Sequence, residues 1–280
     1  MKGKLALAVL AISATNVHAQ APLERGKYLV EGILTCGNCH TPRGPKGVLD
    51  TANRHAGGPQ VWETHEYKVR PSNITMDKES GIGGWSAEQV KVAIRDGKRP
   101  NGQQMSPQMP YGFYKIFTPA DLDAVVAYVQ SIPAVSHKVE APVYKVKQMV
   151  VDIPPGAAKP MPESAMKDPA KRGFYLATIG HCMECHTPIV KGHRDFKNGL
   201  GTGGEKFEGP WGVSVSRNIT SHKTNGIGAW SDAEIKAAIT KGVRKDGTRL
   251  RPPMGFDWYA TMTDADLSAI VAYLKTIPAR

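Results

Sequence analysis

Cys36-Gly37-Asn38-Cys39-His40, followed by Thr41-Pro42, is the stretch on which this 280-residue chain turns. It returns as Cys182-Met183-Glu184-Cys185-His186, again followed by Thr-Pro. Two thiols three positions apart can each add to one vinyl group of a haem. A histidine directly after the second thiol is then held beneath the iron as its proximal ligand. On the Cys and His content of the chain, one chance match is on the order of 10⁻³, and two matches use all four cysteines. The motif therefore predicts two covalently bound haem c groups, attached at Cys36 and Cys39 and at Cys182 and Cys185, with His40 and His186 as iron ligands.

Other chemistries use C-x-x-C. A thioredoxin-like redox pair does not require the histidine. Zinc ribbons pair two C-x-x-C units about 15–20 residues apart, whereas well over a hundred residues separate these. A disulfide within either motif would close a tight loop and again has no use for the histidine.

Working outward, the flanking sequence repeats as well. Arg25-Gly26-Lys27-Tyr28-Leu29 matches Arg172-Gly173-Phe174-Tyr175-Leu176, and Gly57-Gly58 matches Gly203-Gly204. Asn73-Ile74-Thr75 with Gly81-Ile82-Gly83-Gly84-Trp85-Ser86 matches Asn218-Ile219-Thr220 with Gly226-Ile227-Gly228-Ala229-Trp230-Ser231. Ala120-Asp121-Leu122 matches Ala265-Asp266-Leu267. A repeat at this spacing is a duplicated module. The expected organisation is a signal peptide over 1–19, a first domain over 20–133, a linker over 134–167 and a second domain over 168–280.

Each copy is expected to be mostly helical. A first helix covers about 23–33, or 169–178 in the second copy, and its Gly and aromatic residues suit a close helix crossing. A middle helix begins at Ser86 with Gln89 as a capping box and stops at Gly97; its twin begins at Ser231 with Glu234 and stops at Gly242. A last helix begins at Thr118-Pro119. Leu122, Val125, Val126 and Val129 form its apolar stripe, matched by Leu267, Ile270, Val271 and Leu274. Strand signal is weak. Long Gly- and Pro-rich loops follow each C-x-x-C-H, as expected where a large group packs against them. The linker, with Pro154-Pro155 and Pro160-Met161-Pro162, is expected to be an extended strap whose Val143–Val151 stretch is too apolar to be wholly disordered.

A haem iron with histidine on one side takes Met or a second His as its usual protein ligand on the other. Pro107-Gln108-Met109-Pro110 and Pro252-Pro253-Met254-Gly255 occupy matched places, so Met109 and Met254 are the candidate iron ligands. The competing reading is two core methionines filling gaps. Met105 has Leu250 as its counterpart, and Met262 aligns with Phe117 and is expected in the core. His55, His65, His193 and His222 have no histidine counterparts and are expected at the surface or a haem edge. Pro42 and Pro188 are expected to shape the loop whose carbonyl orients the ligand imidazole. Trp85 and Trp230 suit either a haem edge or the core, and Asn-Ile-Thr is expected to be a structural Asn turn.

Residues 1–19 form a secretory signal: Lys2 and Lys4, an apolar run from Leu5 to Ala14, and Val17-His18-Ala19 before cleavage at Gln20. The expected location is the periplasm. Nothing later is apolar and long enough to span a bilayer, and the chain ends at Arg280, just past its last helix. A soluble mature protein is expected, with no transmembrane segment and at most peripheral membrane association. The formal net charge is +11; without Lys2 and Lys4, 34 basic residues face 25 acidic ones, a net +9. That balance suits an acidic partner or a solvated basic surface, while export argues against nucleic acid.

On these motifs each copy resembles a class I cytochrome c domain, so the expected fold class is all-α, two tandem cytochrome c class I domains joined by the Pro-rich strap. Asn-Ile-Thr…Gly-Ile-Gly-x-Trp-Ser and Pro-x-Met-Pro-Tyr…Asp-Leu-x-Ala-x-Val-Ala-Tyr are similar to the cytochrome subunits of bacterial periplasmic dehydrogenases. The resemblance implies a dihaem electron carrier rather than a catalyst. Electrons would come from a dehydrogenase of alcohols, aldehydes or similar substrates and pass to a terminal oxidase or another cytochrome. A dihaem cytochrome c peroxidase and a sulfur-compound oxidoreductase are the enzyme alternatives. The first needs an open iron site, which a Met at both matched positions disfavours; the second needs a spare cysteine.

Overall fold

The computed structural model describes residues 22–280 apart from 45, 46, 148, 150 and 210. The expected signal peptide, its cleavage point and two residues of the strap lie outside this range. The first copy runs α1 (Pro22–Glu31), α2 (Cys36–His40), β1 (Trp62–Glu63), β2 (Tyr67–Val69), α3 (Ala87–Asp96), α4 (Tyr111–Tyr114) and α5 (Pro119–Val129). β3 (Val143–Tyr144) lies in the intervening segment. The second copy runs α6 (Pro169–Ile179), α7 (Cys182–Cys185), β4 (Ile189–Val190), β5 (His193–Arg194), β6 (Lys206–Gly209), β7 (Gly212–Val215), α8 (Asp232–Lys241), α9 (Phe256–Tyr259) and α10 (Asp264–Leu274). The fold is helical, with strands of two to four residues.

Local chemistry sets the helix ends. Ser86 accepts from the Gln89 amide while the Gln89 side chain returns to Ser86, and Gly97 closes α3 in the left-handed region at φ 65°. Ser231, Glu234 and Gly242 (φ 60°) do the same for α8. Thr118 caps α5, Thr263 caps α10, and Asp168 caps α6 ahead of Pro169. Each reciprocal cap satisfies amides that the first helical turn leaves unpaired.

The core of each copy is a crossing of its first and last helices. At Gly26 a Cβ would lie 1.9 Å from the Ala124 carbonyl oxygen, and at Gly173 one would lie 1.8 Å from that of Ala269. Only glycine allows the backbones this close. Around the crossings Leu29, Val30, Leu122, Val125, Val126 and Val129, with their counterparts Leu176, Leu267, Ile270, Val271 and Leu274, are buried. Burying each such side chain contributes about 1.5–3 kcal/mol. Met262 is buried beside them, as expected.

The two copies dock directly. Tyr28 donates to Asp266 Oδ2 at 2.6 Å, and Tyr175 donates to Asp121 Oδ2 at 2.7 Å, so each copy contributes one tyrosine and one aspartate to the contact. The strap is seated rather than free. β3 pairs antiparallel with β2, Tyr144 opposite Tyr67, and the Met161 amide donates to the Ile116 carbonyl. The Asp152 carboxylate accepts from the Arg194 amide at 3.0 Å, tying the strap to the second copy. Among the described residues no helix is long and apolar enough to cross a membrane.

Candidate haem sites

Both C-x-x-C-H motifs sit on short helices launched by the same backbone device. Thr35 and His181, directly before the first cysteine, hold left-handed conformations at φ 49° and 42°. Such values are uncommon outside glycine and redirect the chain sharply from α1 into α2 and from α6 into α7. The Asn38 amide then donates to the Thr35 carbonyl and the Glu184 amide to that of His181, closing the first turn.

The ligand histidines are held identically. His40 Nδ1 lies 2.7 Å from the Ser72 carbonyl oxygen, and His186 Nδ1 lies 2.7 Å from that of Arg217. A carbonyl can only accept, so Nδ1 carries the proton and Nε2 keeps its lone pair, the arrangement a metal-binding imidazole needs. Burial pushes His40 down to about 4 against the opposing pull of the Ser72 bond, and it lowers His186 too. Burial thus favours the neutral ring in both copies. The orienting carbonyls do not come from the loops shaped by Pro42 and Pro188. They come from the residues directly before each Asn-Ile-Thr, where the long loop returns to the motif. There Asn73 Oδ1 accepts from the Thr75 amide and hydroxyl at 2.9 and 2.7 Å, and Asn218 repeats both bonds to Thr220. The Asn turn is thus the clamp that presents the carbonyl to the imidazole.

Burial raises the thiols of Cys36, Cys182 and Cys185 to about 12 and that of Cys39 to about 11. None of the four is in a disulfide. Among the described residues no group of three or more His, Cys, Asp or Glu side chains converges as a zinc site would require.

Met109 and Met254 both lie half-buried against the core, immediately before α4 and α9. Buried Tyr114 on α4 and Tyr259 on α9 both lie among the two attachment motifs, Tyr114 near Cys36, Cys39 and Glu184 and Tyr259 near Cys182, Cys185, Glu184 and Cys39. Among the described residues, Arg99 Nε and Trp211 Nε1 are buried donors without a protein partner. Arg99 also reaches Ser72 Oγ at 3.2 Å, beside the carbonyl that holds His40. Trp211 sits by the Met254 loop, where its carbonyl accepts from Arg251. Buried cationic and N–H donors without a protein partner, one beside the His40 anchor and one beside the Met254 segment, fit a cofactor that carries carboxylates, as haem does through its propionates.

The profile of the cytochrome c family matches residues 23–133 and 170–278. The chain belongs to the cytochrome c family. This c-type cytochrome carries two covalently bound haem c groups. It is 30% identical over 302 residues to the fructose dehydrogenase cytochrome subunit of Gluconobacter japonicus, covering 97% of this chain and 58% of that one. It is 28% identical to the gluconate 2-dehydrogenase cytochrome c subunit of Pantoea cypripedii, covering 99% and 64%. A diheme cytochrome c-type protein of Cereibacter sphaeroides is 28% identical, with 87% and 82% covered. The cytochrome thus spans about three-fifths of the length of the two dehydrogenase subunits.

His55 is not a surface residue. It is 1% exposed, with Nε2 2.8 Å from Glu31 Oε1, and it holds φ 64° where the second copy has Gly201 at φ 77°. Glu31 also accepts from the Tyr128 hydroxyl at 2.8 Å and pairs with Arg54. Burial alone would raise the Glu31 carboxyl, but His55, Tyr128 and Arg54 together hold it below its ordinary range. The repeat hides this cluster, because Thr178 and Gly201 stand at the matching places. His65 and His193 are exposed; His222 is half-buried and caps a turn through Nδ1. Trp85 and Trp230 pack half-buried against the core.

Proposed function

We propose that this cytochrome is a periplasmic dihaem electron carrier in which His40 and Met109 ligate one iron and His186 and Met254 the other, with thioether bonds at Cys36, Cys39, Cys182 and Cys185. The observation that carries the reading is the paired geometry of the histidines. In both copies Nδ1–H is spent on a fixed backbone carbonyl, so Nε2 is the only ring nitrogen left to bind a metal. The bound haems supply a one-electron iron couple, and sulfur ligation favours the reduced state relative to a second histidine. The protein fixes the orientation of each ring through a backbone carbonyl of the returning loop.

The likeness to fructose and gluconate dehydrogenase cytochrome subunits supports a dehydrogenase as electron donor. The substrate class is small alcohols, aldehydes or sugars, oxidised in a separate subunit. The acceptor is a terminal oxidase or another cytochrome. A strain lacking this gene should lose respiration on one such substrate while its dehydrogenase still reduces an artificial dye. Unchanged respiration on every such substrate would refute the role. Wild-type protein should bind cyanide slowly and should not turn over peroxide; fast binding at one haem with peroxidase turnover would replace the carrier by an enzyme.

A further inference from the structure

We infer that Tyr28 and Tyr175 are positioning residues for electron exchange between the two haem sites, each hydroxyl bonding to the other copy's buried aspartate and so fixing the separation at which the sites communicate. This rests on the reading that both motifs carry haem with Met109 and Met254 as ligands.

The contact is built from matched residues. Arg25 grips Asp121 through Nε and Nη2 at 2.8 and 2.9 Å, and Arg172 pairs with Asp266 in the second copy. Each aspartate then takes a hydroxyl from the opposite copy, Tyr175 on Asp121 and Tyr28 on Asp266. The aspartates are 8% and 1% exposed, and carboxylates so far from water depend on every donor they have. A phenylalanine would fill the same space as Tyr175, so what the hydroxyl adds is direction, a charge-assisted bond with one preferred geometry.

That docking brings the two sites into van der Waals contact through the chain. Gly255, directly after Met254, faces Thr35, directly before Cys36: a Cβ at Gly255 would lie 3.3 Å from Thr35 Cγ2. The Trp258 ring rests on Gly37, between the two cysteines of the first motif, where a Cβ would lie 2.4 Å from Cη2. Gly32 and Gly180 make further close approaches across the contact, a Cβ lying 3.1 Å from Thr261 Oγ1 at the first and 2.7 Å from Ile33 Cδ1 at the second. The segment bearing the second iron's methionine thus touches the segment bonded to the first haem. The electron lost by one iron is gained by the other, with no change in protons or covalent bonds. The hydroxyls hold the two segments in register.

The test uses the holoprotein with Tyr28→Phe, Tyr175→Phe and both. In half-reduced samples, exchange broadening of the haem methyl resonances reports electron exchange, and its independence of protein concentration marks the internal part. Both midpoint potentials and both near-infrared sulfur-to-iron bands are measured alongside. The double variant should exchange about tenfold more slowly or worse, since small misplacements of reacting centres are costly, with potentials and bands unchanged and the single variants between. Exchange at the wild-type rate would overturn the inference, as would potentials that shift enough to account for the slowing. If the double variant does not mature, Trp258→Leu, which lifts the ring from Gly37, carries the same expectation and the same refutation. Failure of the underlying reading shows separately, as wild-type protein with one haem or without the bands.

Discussion

Gly173→Ala places a methyl group into the crossing of α6 and α10. Its Cβ would sit 1.8 Å from the Ala269 carbonyl oxygen, 2.5 Å from its carbon and 2.8 Å from Tyr273 Cβ. Carbon and carbonyl oxygen meet comfortably at about 3.3 Å, so the helices would have to part by about 1.5 Å along their closest approach. The obstacles are backbone and a Cβ, which no rotamer change can move aside. Alanine gains about 1 kcal/mol of helix propensity over glycine, while overpacking of this kind costs about 3 kcal/mol or more. The steric term wins by about 2 kcal/mol, which for two docked copies melting together lowers Tm by about 4–8 °C. Gly84→Ala is the matched control: nothing lies within 4 Å of its Cβ position and its φ is not positive. It should leave Tm unchanged or raise it slightly, by stiffening the unfolded chain. Thermal unfolding of the holoprotein followed by far-ultraviolet circular dichroism separates the two. A Gly173→Ala protein melting within about 2 °C of the control would show that the crossing is not as tight as described.

Met109→Ala and Met254→Ala should each remove the near-infrared band of one haem only, open that iron to cyanide and lower its potential, whereas Met105→Ala should leave both haems spectrally intact; the reverse pattern in the first copy would make Met105 the ligand. Reduction of the protein by its donor should slow as salt rises, because the basic surface steers an acidic partner, and a rate indifferent to ionic strength leaves only a solvated basic surface. Glu31 is held below its ordinary range, so its contribution to stability is complete above that range and is lost as pH falls through the lowered value. Melting curves between pH 3 and 6 should therefore flatten in Glu31→Gln relative to wild type, and parallel curves would refute the role of the cluster.

Much of this architecture was readable from the chain because its signals are local. Ser86 with Gln89, Gly97 after α3 and Thr118-Pro119 before α5 are chemistry within one helical turn, and the structure places them as expected. The attachment motifs are local too. What escaped reading depends on pairings far apart in sequence. The carbonyls that hold His40 and His186 arrive from 32 and 31 residues away, and neither Ser72 nor Arg217 has a side chain that announces it. The burial of His55 in its loop is hidden because its partner Glu31 lies 24 positions upstream and its left-handed backbone carries a non-glycine side chain. The Arg25, Tyr28 and Asp121 matches were visible as a repeat, yet nothing in one copy says that its tyrosine answers to the aspartate of the other. The strand in the strap was hidden by its length of two residues.

The tyrosine–aspartate exchange has a consequence for how the molecule was put together. Because each half offers the same two residues and receives the same two in return, the contact is isologous: the surface is its own complement. A protein made of one half alone, with Arg, Tyr and Asp at those positions, would carry both sides of the lock and could close it with a second copy of itself. The 280-residue chain is in this sense a symmetric dimer written into one polypeptide. Fusion frees each half to vary on its own. The Glu31–His55 cluster, present on one side and replaced by Thr178 and Gly201 on the other, is a difference between subunits that a true homodimer could never hold.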